Sequence, residues 1–269
     1  MTQRVPVLMY HSVSERPPRG TTRLSVHPDQ FDAHLRLLRR RGYRTATFGE
    51  LGEALRTGAR LPERSVVLTF DDGYADFHDH ALPSLEARGF LATVFVTTGW
   101  LADAGPRAAG EPLDRMLTWS QLGRVAGAGM EIGAHGHSHA QLDQVSPPAL
   151  REELQLSKGL LESELHGPVR SLAYPFGYSS PRVRREAGAA GYRYAAAVGN
   201  TMIGEQPDLL ALPRLTIRRS TSLDVFDRLV RGERIGRTFA VDRALTWGWS
   251  LVRRGRAPLT RIRERSGRR

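Results

Sequence analysis

Two adjacent carboxylates and a cluster of histidines are the residues of this chain best suited to hydrolytic chemistry. Thr69-Phe70-Asp71-Asp72-Gly73 sets both acids directly after an apolar run, with a glycine that lets the backbone turn sharply. Neighbouring residues on a turn face different partners. One carboxylate can therefore bind a divalent ion while the other accepts a proton from water, the division of labour that metal-assisted hydrolysis needs. Taken alone, the pair serves equally well as a helix start, with Asp72 as N-cap for Tyr74 onward.

Residues 131–139 read Glu-Ile-Gly-Ala-His-Gly-His-Ser-His and hold three of the nine histidines of the chain. That clustering is unlike an incidental polar loop. His135 and His139 are four apart, so on a helical turn their imidazoles share one face and can hold one ion; His137 points elsewhere and is expected beside the ligands or in solvent. Two neutral imidazoles and one carboxylate leave coordination positions open, as a catalytic rather than a closed zinc site does. Zinc lowers the pKa of a water ligand to about 7, and Co2+, Ni2+ or Fe2+ suit the same donors.

Composition narrows the setting. The 269 residues contain no cysteine, which excludes disulfides, thiolate metal sites and a cysteine nucleophile. Hydrophobic residues at 40% and charged residues at 25% are ordinary globular values, so a single large α/β domain is expected. Of the net charge of +11, residues 252–269 supply 8 − 1 = +7, from eight arginines and Glu264. The basic excess thus belongs mainly to the C-terminal end, which argues against specific nucleic-acid binding by the body of the chain. Residues 1–235 are expected to form the catalytic domain and 236–269 a basic, Trp/Arg-rich extension. Phe239, Leu245, Trp247, Trp249, Leu251 and Val252 beside that arginine run suit peripheral contact with an anionic membrane, or a terminal helix docked on the domain. The apolar run at 5–10 is too short for a secretory signal and gives a cytoplasmic expectation.

The elements that must position these residues follow from periodicity. Short, partly β-branched runs at 5–10, 66–70, 92–97, 132–134, 172–174, 194–198 and 215–217 read as buried parallel strands. Amphipathic stretches at 29–40, 48–55, 74–88, 120–126, 148–165, 181–187 and 222–230 read as the intervening helices. Strand followed by helix, repeated, implies a parallel sheet or barrel whose site gathers at the C-terminal strand ends. His11, Asp71, Asp72, His135 and the segment 175–177 all follow strands and fall on that rim.

These motifs resemble the polysaccharide deacetylases of carbohydrate esterase family 4, the NodB homology family. Thr-Phe-Asp-Asp-Gly at 69–73 matches the first motif residue for residue, and His135 and His139 match His-(Ser/Thr)-x-x-His, with Gly136 replacing the hydroxyl residue. The opening Val7-Leu8-Met9-Tyr10-His11 resembles the poly-N-acetylglucosamine deacetylase branch. The resemblance implies a distorted (β/α)7 barrel, Asp71 as general base, and Asp72, His135 and His139 as metal ligands. It implies removal of the N-acetyl group from an amino sugar or N-acetylglucosamine-containing glycan, releasing acetate. The alternatives are a hydrolase of a cyclic imide or non-sugar acetamide, and a non-catalytic glycan-binding protein.

Two later motifs depart from the family pattern. Ala173-Tyr174-Pro175-Phe176 stands in place of Arg-x-Pro-Tyr, and Leu212-Pro213-Arg214 in place of Leu-x-His. The Phe176 backbone N–H still fits the oxyanion donor, Arg214 is the candidate to orient Asp71, and His11 the candidate proton donor. Tyr10, Trp100, Trp119, Tyr174, Phe176 and Tyr178 fall in or near rim loops and are candidates to stack on sugar rings.

Overall fold

The computed structural model describes residues 4–240. In chain order its strands are β1 (Val7–Tyr10), β2 (Ser12–Val13), β3 (Ser25–Val26), β4 (Arg44–Ala46), β5 (Ser65–Phe70), β6 (Thr93–Val96), β7 (Glu131–Ala134), β8 (Ser171–Ala173), β9 (Tyr194–Ala196) and β10 (Leu215–Thr216). Seven form a curled parallel sheet in the order β10-β1-β5-β6-β7-β8-β9, with β4 as an eighth strand beside the first half of β5. The edges β9 and β10 do not pair directly. Segment 209–212 spans the gap, with Ala195 N–H donating to Leu209 C=O and Ala197 N–H to Leu212 C=O, each at 2.8 Å. The expected distorted barrel is therefore present, incompletely closed.

Alternation along each strand divides its side chains between two cores. On β5, Val66, Leu68 and Phe70 face the outer helices, whereas Val67 joins Val7, Phe48, Phe95 and Tyr194 in the barrel interior. The outer layer comprises α1 (Pro28–Arg40), α2 (Phe48–Thr57), α3 (Leu82–Glu86), α4 (Trp119–Gly127), α5 (Pro147–Leu165), α6 (Pro181–Ala189), α7 (Leu223–Val230) and α8 (Ile235–Thr238). Local capping starts several of them: Thr47 with Glu50, and Thr118 with Gln121, form reciprocal capping boxes before α2 and α4. The start of α2 is also tied to the barrel floor. Its Gly49 N–H donates at 2.8 Å to Glu131, which accepts the Thr93 and Ser171 hydroxyls at 2.8 and 2.5 Å.

One expected helix is corrected and three short strands are added to the sequence reading. The helix expected over 74–88 begins as a π-helical turn at Phe77–Ala81 and continues as α3, because the backbone ahead of it is committed to a turn: Asp72 and Gly73 have φ of +77° and +88°. The pair β2 and β3, too short to show a period, and the polar β4 were both missed. Phe239, grouped with the C-terminal extension, is 3% exposed and joins the outer core next to α8. The other residues proposed for membrane contact, Leu245 to Val252, and the arginine-rich end lie outside the described residues. Among the described residues no helix is long and apolar enough to cross a membrane.

Candidate active site and metal centre

The C-terminal strand ends enclose a cavity of about 510 Å³ lined by His11, Asp71, Asp72, His135, His139 and Phe176, with Arg23, Leu113, Tyr178 and Arg218 among its other walls. That volume lies within the range of small-molecule pockets. Sequence-distant residues meet there because β1, β5, β7 and β8 are parallel and deliver their following residues to one rim.

Asp71 continues the sheet register, its N–H donating to Tyr10 C=O at 3.0 Å. The chain then turns through the left-handed region at Asp72 and Gly73. A Cβ on Gly73 would stand 3.3 Å from Val96 Cγ1, so both conformation and space favour glycine. The turn is pinned to its neighbours by Thr97 N–H to Asp72 C=O (3.2 Å) and Leu117 N–H to Gly73 C=O (3.0 Å). Asp72 is thus not a helix cap.

Arg214 enters from the start of β10, is fully buried, and crosses under β1 to reach Asp71. Its Nη1 and Nη2 donate to Asp71 Oδ1 and Oδ2 at 2.6 and 2.7 Å, a bidentate fork, while Nη1 also lies 3.1 Å from Thr69 Oγ1. Burial would raise the Asp71 carboxyl, but the Arg214 guanidinium, with His135 and His11, outweighs it and holds the group below its ordinary value. Asp71 is therefore ionised at neutral pH. The fork leaves each oxygen a second lone pair, so a clamped carboxylate can still accept a proton.

Asp72 Oδ1 lies 3.3 Å from the Nε2 atoms of both His135 and His139, and one ligand atom from each residue falls within 4.8 Å of the others. His135 Nδ1 is 2.9 Å from Ala173 C=O. A carbonyl only accepts, so the proton of the neutral ring is on Nδ1 and the Nε2 lone pair faces the carboxylate. At that spacing the two electron-rich atoms call for a shared cation, either a proton on the imidazole or a metal ion. Asp72 Oδ1 is correspondingly buried without a hydrogen-bond donor. Tetrahedral zinc with bonds of about 2.0–2.1 Å separates its ligands by about 3.4 Å, so the residues fit such an ion. Burial opposes charge on both groups. The opposing charges prevail: His135 with His139 holds Asp72 well below its ordinary value, and Asp71 with Asp72 holds His135 above its own.

The loop bearing His135 and His139 is not the helical turn expected from their spacing, since Gly136 and His139 have φ of +73° and +62°. The ring of His139 instead lies between Trp100 and Phe176, with centroids 4.6 and 4.7 Å away. His137 is buried between His135 and His139 in the chain rather than solvent-exposed, its Nδ1 2.9 Å from Thr98 Oγ1. Phe176 lines the cavity in a left-handed conformation (φ +60°), a strain of about 1–2 kcal/mol of the kind that gathers at functional sites. His11 also lines it; burial holds its pKa below 6.5, with both carboxylates opposing. At neutral pH it is a neutral imidazole with one N–H to donate, not a resident cationic acid.

Of the proposed stacking aromatics, Phe176 and Tyr178 reach the cavity. Tyr10 packs against Phe31 and Phe70, and the Tyr174 hydroxyl donates to Leu210 C=O at 2.8 Å, so both are core residues. Trp119 is half-buried on the outer core away from the site. Leu113, 52% exposed in a loop without periodic pattern, lines the cavity and was missed.

A parallel, incompletely closed barrel carries at its rim a buried acid pair and an Asp-His-His group that could hold a metal ion, an arrangement suited to hydrolysis. The polysaccharide deacetylase family model matches residues 58–195, and the chain belongs to that family. Bacillus subtilis (strain 168) YxkH, named for the same family, is 28% identical over 223 residues, covering 83% of this chain and 75% of that protein. The poly-beta-1,6-N-acetyl-D-glucosamine N-deacetylase of Escherichia coli (strain K12) is 34% identical over 118 residues, 42% of this chain but 18% of its own length. Among solved structures, the Streptococcus pyogenes deacetylase PplD in complex with acetate superposes with a TM-score of 0.77 at 27% identity, covering 86% of this chain and 99% of that one.

The clamp makes a measurable prediction. Arg214→Gln is expected to raise the acid limb of the pH-rate profile, because burial of Asp71 is then poorly opposed, and to lower kcat/KM by about 10²-fold or more. Leaving a buried charge poorly partnered also costs about 3–5 kcal/mol of stability, measurable by urea unfolding. An unshifted profile with unchanged turnover would remove Arg214 from the site.

Proposed function

We propose that this chain removes the acetyl group from N-acetylglucosamine units of a glycan, releasing acetate. The observation that carries the reading is the juxtaposition, in one cavity, of an ionised Asp71 held by Arg214 and the Asp72, His135 and His139 donor set. A divalent ion there, with zinc the best match to two imidazoles and a carboxylate, would supply Lewis-acid polarisation of the amide carbonyl and acidify water. Asp71 accepts the proton of the attacking water at a lone pair left open by the Arg214 fork. The Phe176 backbone N–H is assigned to the developing oxyanion, and the departing nitrogen takes the proton that Asp71 removed from the water, with the neutral His11 imidazole as a relay that accepts on one nitrogen and donates from the other. The exposed Phe176 ring and Tyr178 offer apolar faces to a sugar. Similarity to a poly-β-1,6-N-acetylglucosamine deacetylase supports that glycan as the first substrate to try.

Acetate release should be assayed on β-1,6- and β-1,4-linked N-acetylglucosamine oligomers, a cyclic imide and a simple acetamide. The expected result is turnover of at least one oligomer series, with kcat/KM more than about 10²-fold above the simple acetamide, because sugar contacts orient the amide. Preference for the imide or acetamide would refute the proposal.

A further inference from the structure

We infer that Glu153, on the second turn of α5, is the positioning residue for the metal-binding loop. Its carboxylate accepts the His137 N–H at 2.8 Å and the Ser138 N–H at 3.0 Å, and also accepts the Ser138 hydroxyl. All three donors lie between the two histidine ligands. Among the described residues no Lys or Arg side chain forms an ion pair with Glu153, so its charge is met by the loop itself. Charge-assisted bonds of this kind are about twice as strong as neutral ones.

The geometry also accounts for Gly136 in the place of the family's hydroxyl residue. Gly136 has φ of +73°, and a Cβ built there would stand 3.1 Å from Glu153 Oε2. A side chain at 136 would press on the carboxylate that gathers the next two amides. From the opposite side, Gly99 N–H donates to His137 C=O at 2.8 Å and Thr98 Oγ1 meets His137 Nδ1. The loop is thus held on two sides without any of these contacts touching the ligand nitrogens. Glu153 lies beside Leu150, Leu154 and Ser157, buried residues that fix α5 to the body of the domain. A rigid helix thereby sets the separation of His135 and His139.

This role rests on the metal-site reading, and the test separates the two. Zn2+ affinity should be measured by competition with a chromophoric chelator for wild type, Glu153→Ala, Glu153→Gln and the exposed neighbour Glu152→Gln. Exchange of the His137 and Ser138 amides should be followed in the metal-free proteins. Removal of a group that orients metal ligands typically weakens binding by about 10–100-fold. Glu153→Ala should show that loss, Glu153→Gln a smaller one because its amide oxygen still accepts, and Glu152→Gln a change within about twofold. Both amides should exchange faster in the Glu153 variants. Wild-type affinity and protection in Glu153→Ala, or an equal loss in Glu152→Gln, overturns the inference. Should Glu153→Ala fail to fold, the isosteric Glu153→Gln decides by the same readings. A wild type that binds no divalent ion would strike the site reading instead, while amide exchange still judges Glu153.

Discussion

Asp71→Asn is expected to lower kcat for acetate release by about 10²–10⁴-fold, the usual contribution of general acid-base catalysis, or about 3–5 kcal/mol of barrier. The substitution preserves shape but removes the basic carboxylate. Zn2+ affinity should change little, since the donor atoms belong to Asp72, His135 and His139. A second consequence follows from burial. Arg214 has 0% exposure and loses its ionic partner, so the variant should unfold at lower urea concentration, and kinetics must be taken where it is folded. Wild-type kcat in a folded Asp71→Asn protein would assign the proton transfer elsewhere.

His135→Ala should have the other large effect, weakening Zn2+ binding by at least about 10²-fold and reducing turnover in proportion to metal occupancy. The pH dependence supplies its signature. A metal ligand must be neutral, and in the metal-free protein Asp71 and Asp72 overcome burial to hold His135 above 6.5. Protons therefore compete with the ion below that raised value, and wild-type affinity should fall as pH drops through it. Stability runs the opposite way. A histidine with a raised folded pKa contributes stability that is fully present below 6.5 and is lost as pH rises through the folded value. Metal-free wild type should accordingly lose stability across that window, and added Zn2+ should restore it. In His135→Ala both dependences should flatten; chelator competition and urea melts across pH 5–8 (about the histidine range) read them.

How much of this was legible in the sequence depends on the range of the interaction. Thr69 to Gly73 announced itself because an apolar strand, two acids and a glycine are contiguous, and strand placement followed from runs buried on both faces. Arg214 was found through a gap in a pattern: an orienting arginine was missing near 173, and one stood near a predicted strand start. Its bidentate geometry was not legible, since it depends on β10 and β5 flanking β1. Glu153 carried no local signal at all. It is one of four acids, with Glu152, Glu162 and Glu164, on an amphipathic helix, and becomes distinct only when α5 packs beside residues 136–138. The four-residue spacing of His135 and His139 singled out the pair that lies beside Asp72, but by a different geometry, because left-handed residues at 136 and 139 bring the rings together where a helical turn had been expected. Tyr10 and Tyr174 show the converse: rim position along the chain did not decide side-chain direction, which strand alternation turned toward the core.

The most direct test of the central claim is acetate release by metal-stripped wild type titrated with Zn2+, beside Asp71→Asn treated in the same way. Release is predicted to be absent after stripping and to return in full with one equivalent of ion, while Asp71→Asn takes up the ion and stays inactive. Full-rate release by stripped protein, or equal recovery in Asp71→Asn, would contradict the account.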